Sequence, residues 1–282
     1  MDNLVSVWKR SSPMKSFFLP TLVLSLSLTA LMAQKESAPA PAKEEKKGEE
    51  AKPAQPELLP NQKAFLNLPE EKRKEFAKHL GEASRLFQSK RIFETLDELY
   101  KAEKVFPDAP EIHNIRGSCY VEIRNFDKAT ESFNEAAKLS PNNPSVEFNI
   151  AEVLFVTKEW QKAHDAFVAL QKKLPANNIA LGRLVEFKLL LCKLKLGKTD
   201  ELTALAEKYD FLDESPYYYF AQAALAYNDG NLLKAEEWLA MSARIFRDPA
   251  ILAPWQDTLV EFGYIKSFYG DEGAEGAEIP GQ

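Results

Sequence analysis

Residues 110–143 read PEIHNIRGSCYVEIRNFDKATESFNEAAKLSPNN, and this stretch decides the fold. Its pattern of residue sizes returns on both sides, so that 76–109, 110–143 and 144–177 align without gaps on a 34-residue period. The eighth place is small in every unit (Ala83, Gly117, Ala151) and the eleventh is large (Leu86, Tyr120, Leu154). The twentieth place holds Thr95, Ala129 and Ala163; Leu99, Phe133 and Phe167 follow, and then Ala102, Ala136 and Leu170. Small residues at the eighth and twentieth places let two helices approach closely, while the large ones fill the seam between them. Each unit closes on a proline (Pro107, Pro141, Pro175). Proline lacks an amide donor and restrains the residue before it, so the second helix stops there. One helical hairpin per period follows.

The packing signature of Gly117, Tyr120, Ala129, Phe133, Ala136 and Pro141, carried on by Ala151, Ala163, Phe167 and Pro175, resembles the tetratricopeptide repeat family. The fourth place departs from the family pattern, with His79, His113 and Glu147 where a tryptophan or leucine is usual. A degenerate fourth unit starts at Arg183: Gly197 fits the turn between helices, but Leu202 and Ala206 replace the small and aromatic pair. A fifth, from Pro216, recovers the pattern through Ala223, Gly230, Ala235, Leu239 and Ser242. A leading helix is expected from Pro69-Glu70-Glu71, and a terminal helix from Ala250 to Tyr269 is expected to cover the last open face. The resemblance implies an all-α, right-handed superhelical solenoid of about five hairpins with a C-terminal capping helix.

It also implies a concave face built from the first helix of each pair. On this chain the matching places are Phe87; Asn114, Val121 and Glu122; Phe148, Glu152 and Phe155; and Tyr217, Phe220 and Tyr227. Such a groove is aromatic and mildly acidic. It suits another protein or a peptide presenting apolar or weakly basic side chains, because aromatic anchors in a groove carry much of the binding energy. The acidic-tail clamp known in the family is disfavoured: Asn149 stands at one clamp place without the lysine and arginine companions. The same aromatics serve equally well as packing between neighbouring helices. A saccharide or peptide accessory to an envelope enzyme is the alternative function, since it too uses aromatic faces.

Catalysis is not expected. Gly197-Lys198-Thr199 match the end of a phosphate-binding loop, but Cys192 stands where its first glycine belongs. His79, His113 and His164 are scattered, with no partner at metal-ligand spacing, and no cofactor motif occurs. Cys119 and Cys192 lie two units apart and read as buried small hydrophobes. Net charge is -6, of which the tail carboxylates Asp271, Glu272, Glu275 and Glu278 supply four, so no basic face for nucleic acid is implied.

Residues 1–33 read as a secretory signal: Lys9, Arg10 and Lys15 precede an apolar run from Phe17 to Ala33, and a polar stretch begins at Gln34. An uncleaved anchor through residues 17–33, tethering the chain to the membrane, is the alternative, although Pro20, Ser25, Ser27 and Thr29 weaken a span already short for a bilayer. The expected location is the bacterial periplasm or cell envelope. Residues 34–60 form an Ala/Pro/Lys/Glu linker, 61–269 the repeat domain and 270–282 an acidic tail; linker and tail lack the apolar residues that packing needs. Mass spectrometry of the mature protein is expected to find Gln34 at its amino terminus; a chain starting at Met1 or Met14 overturns cleavage.

Overall fold

The computed structural model describes residues 58–266, and within them the chain is helical throughout, without strands. Twelve helices follow one another: α1 Pro60–Leu66, α2 Glu70–Gln88, α3 Ile92–Val105, α4 Pro110–Glu122, α5 Phe126–Leu139 and α6 Pro144–Val156. Then come α7 Trp160–Gln171, α8 Ile179–Lys195, α9 Leu202–Ala206, α10 Tyr217–Asn228, α11 Leu232–Ile245 and α12 Pro249–Phe262. The pairs α2/α3, α4/α5, α6/α7, α8/α9 and α10/α11 are the five hairpins, and each stacks on the next to give the expected all-α solenoid. The signal or anchor at 1–33, most of the linker, residues 267–269 and the acidic tail lie outside the described residues.

The hairpin turns share one geometry. The fifteenth place of every unit is left-handed, at Lys90 (φ 57°), Arg124 (54°), Lys158 (64°), Gly197 (67°) and Gly230 (72°). The next amide then reaches back five residues: Arg91 to the Leu86 carbonyl at 3.0 Å, Asn125 to Tyr120 at 2.8 Å, Glu159 to Leu154 at 2.8 Å, Lys198 to Lys193 at 3.0 Å and Asn231 to Ala226 at 2.8 Å. This bond satisfies carbonyls that the end of a first helix leaves free and reverses the chain within a few residues. Asn125 and Asn231 then cap the second helices, accepting from the amides of Lys128 and Lys234.

Inside the hairpins the size pattern does what the sequence implies. A methyl group added at Gly117 would stand 2.5 Å from the Phe133 ring, so only glycine lets α4 and α5 close on that side chain. Ala83, Ala151, Ala129 and Ala163 are buried, as are Leu99, Phe167 and Ala136; Tyr120 is half-buried under the Lys128 ammonium, 5.5 Å from its ring. Helices α5 and α7 end at Leu139 and Gln171, just before Pro141 and Pro175.

Three elements differ in detail from the sequence expectation. The helix beginning after Pro69 is not a separate leader but the first helix of hairpin one, and α1 stands ahead of it, seating Phe65 against Phe76 and Phe106 at 5.2 and 5.3 Å. Helix α8 has 17 residues where α4 and α6 have 13, and its partner α9 has only five, which accounts for the blurred fourth register. The terminal helix α12 covers a face, but it packs against α6 and α8 on the first-helix side instead of extending the stack beyond α11.

The left-handed turns lead to a stability test. Lys158 is exposed, and its non-glycine side chain in that conformation costs about 1 kcal/mol. Lys158→Gly relieves that strain but adds unfolded-chain freedom worth roughly 0.4–1 kcal/mol, so thermal stability is expected to hold or rise slightly; a loss of about 1 kcal/mol or more contradicts strain at this turn.

Candidate binding cleft

Helix α8 carries one lysine inside an apolar run, Leu184-Val185-Glu186-Phe187-Lys188-Leu189-Leu190-Leu191, and Lys188 is only 3% exposed. A buried ammonium must be paired. Its Nζ lies 2.9 Å from Glu152 Oε1 on α6, donates to Thr258 Oγ1 on α12 at 2.8 Å and sits 4.7 Å from the Phe155 ring centre. The Thr258 hydroxyl in turn donates to the Pro254 carbonyl at 2.7 Å. One lysine therefore ties α12 to two first helices.

Around this anchor α12 spreads its apolar side chains over the first-helix face. Trp255 packs on Phe187 at 5.4 Å and Phe220 at 5.6 Å. Phe262 stacks on Phe155 at 6.1 Å, and beyond the helix Tyr264 stacks on Tyr227 at 5.2 Å. Tyr217 is buried beside Trp255, its hydroxyl donating to the Leu205 carbonyl at 2.8 Å, and the Tyr227 hydroxyl donates to Glu236 at 2.6 Å. Of the ten groove residues read from the sequence, Phe155, Tyr217, Phe220 and Tyr227 thus lie beneath the chain's own C-terminal segment.

Four others come together where α12 stops covering the face. A cleft of about 310 Å3 opens there, lined by Val121 and Glu122 of α4, Phe148 and Glu152 of α6, and Asp257 and Glu261 of α12. Lys90 closes one side, donating to Glu122 at 2.6 Å, and Arg124 another, with Glu261 at 3.4 Å. Asn114 stands next to this cluster, accepting at 2.9 Å from Asn149, which lines the cleft. Phe87 is buried in the first hairpin, with the Lys90 ammonium 5.9 Å from its ring. The sequence reading missed Lys90, Arg124, Lys188, Asp257 and Glu261. Lys188 had a visible signal, a lone charge in an apolar helix.

The cleft contains four carboxylates against three cations, which perturbs protonation. Burial pushes the Asp257 carboxyl up to about 7, with Glu122 and Glu261 adding to the rise and Lys90 and Lys188 opposing it. Burial also raises Glu152, against the pull of Lys188. Elsewhere, burial lifts the Cys119 and Cys192 thiols to about 12, so both stay protonated and unreactive near neutrality.

Because the folded-state value of Asp257 stands above the ordinary 3.8, its contribution is fully present below about pH 4 and is lost as pH rises through about 7. Asp257→Asn has no proton to lose. The variant is expected to match the parent in thermal stability at pH 4 and to exceed it by up to about 4 kcal/mol above pH 7. Parallel melting curves for the two chains across that range would show that the carboxyl is not held neutral.

A family model described as tetratricopeptide repeat matches residues 110–143. Among solved structures, the chain is similar to YrrB, titled "a TPR protein with an unusual peptide-binding site", at 18% identity and a TM-score of 0.44, over 69% of this chain and 97% of that one. It is also similar to PilF of Pseudomonas aeruginosa, at 16% identity and a TM-score of 0.49, over 69% of this chain and 94% of that one. No curated protein sequence matches the chain. The α4/α5 hairpin is therefore the segment that a tetratricopeptide repeat model matches.

Proposed function

We propose that this chain is an exported interaction scaffold that binds a partner polypeptide in the cleft between α4, α6 and α12. The observation that carries the reading is the cleft itself: an apolar floor of Val121, Phe148 and Val156 beside Asp257, a carboxyl that an arriving cation would hold ionised. A segment offering one apolar side chain to the floor and one basic side chain to Asp257 and Glu261 satisfies both features. The partner is accordingly apolar or weakly basic, as the sequence implies. Export rests on the basic residues and apolar run of the first 33 residues.

A saccharide-binding role draws less support. It needs exposed aromatic faces, and Phe155, Tyr217 and Phe220 are buried.

Photo-crosslinking in intact cells tests the assignment. A crosslinking amino acid at Ser118, which lines the cleft, is expected to trap one stoichiometric protein, and Val121→Trp, which fills the floor, to abolish the product. The same probe at Tyr100, exposed on the second helix α3, is expected to trap none. Equal products from both positions, or a product indifferent to Val121→Trp, sink the cleft as the binding site.

A further inference from the structure

Helix α12 is held by a large apolar contact yet contains two features that oppose its own docking. Pro254 lies inside the helix, where it removes one backbone hydrogen bond and crowds the preceding turn. Asp257 is turned into the cleft, where Glu122 of α4 and Glu152 of α6 add to Glu261 on its own helix; Lys90 from the α2–α3 turn, Lys188 of α8 and Arg124 after α4 balance them in part. An element meant only to complete a core gains from neither residue. The large apolar residues Leu252, Trp255, Leu259 and Phe262 of α12 are all buried, at intervals of three, four and three residues. Only three residues, Phe246 to Asp248, join it to α11.

We propose that α12 is a detachable occupant of the first-helix groove, and that the surface beneath it is a second binding surface for an amphipathic helix of a partner with large apolar residues at that same spacing. The inference rests on the polypeptide-binding reading above and extends it from the open cleft to the covered face. A segment tethered by a short linker competes at high effective concentration, so an outside helix gains access in proportion to how often α12 is released. Weakening α12 opens the surface; strengthening it closes the surface. The pattern of α12 supplies the recognition rule, since its Phe262 and Trp255 fill the sites that Phe155 and Phe220 form.

Two measurements on the full chain decide it. Hydrogen exchange of the unaltered protein is expected to release the α12 amides before those of α6 and α8, with the remaining helices intact; exchange of α12 in step with α8 overturns detachment. A labelled peptide of residues 249–265 is then titrated into three full-length chains. Phe262→Ala is expected to bind it at least about tenfold more tightly than the parent, and Pro254→Ala at least about tenfold more weakly. Equal affinities overturn the second surface, as does absence of binding to a Phe262→Ala chain whose helical circular dichroism is retained. Should Phe262→Ala unfold, the exchange comparison between the parent and Pro254→Ala decides alone: slower α12 exchange in the variant upholds the proposal and an unchanged rate overturns it. Crosslinking at Ser118 reads the open cleft and the titration reads the covered face, so either can fail without the other.

Discussion

Stacking begins with a backbone constraint. Each first helix must stop and reverse within a few residues, and that requires a left-handed residue at the fifteenth place, from Lys90 through Gly230. With the chain reversed there, the small residue at the eighth place faces the large one on the second helix, as Gly117 faces Phe133. The hairpin then offers a flat apolar side to its neighbour, and the next unit repeats the arrangement. Without the reversal, the size pattern has nothing to pack against. Three basic residues keep this conformation in the first three units, and two of them, Lys90 and Arg124, turn their charges toward the cleft.

Much of the solenoid was legible because periodicity is a local property. Three gapless registers fix the turn positions and the inward-facing residues of the first three hairpins together, and the fifth returns to the same pattern. The blurred fourth unit was harder: the residues that lengthen α8 are as apolar as its core, so no composition break marks the extra turn. The groove was legible by position only. Phe155, Phe220 and Tyr227 do stand on the first-helix side, but which segment covers them depends on contacts across dozens of residues. The spacing of Leu252, Trp255, Leu259 and Phe262 shows that α12 is amphipathic and says nothing of its destination.

Electrostatics and packing meet at Lys188. Its ammonium lies 2.9 Å from Glu152 and donates to Thr258, so a polar tie of α12 lies at the edge of its apolar contact, next to the open cleft. Charges in the cleft are arranged around that tie. Lys90 answers Glu122 and Arg124 answers Glu261, while burial pushes the Asp257 carboxyl up to about 7. The helix that covers one half of the face thus also forms a wall of the other half.

The return of α12 also bears on the order in which the protein can assemble. Buried side chains from Phe76 to Cys119 form one cluster, while a larger one runs from Phe148 to Phe262 and includes Trp255 and Leu259. A plain repeat array closes neighbour by neighbour, so it can fold as it leaves the ribosome. Here the first hairpins can do so, but the second cluster joins Phe148 to side chains of α12, which follows two further hairpins along the chain. The half from Phe148 onward is therefore closed by a long loop, and its core is complete only once α12 has folded back on α6 and α8.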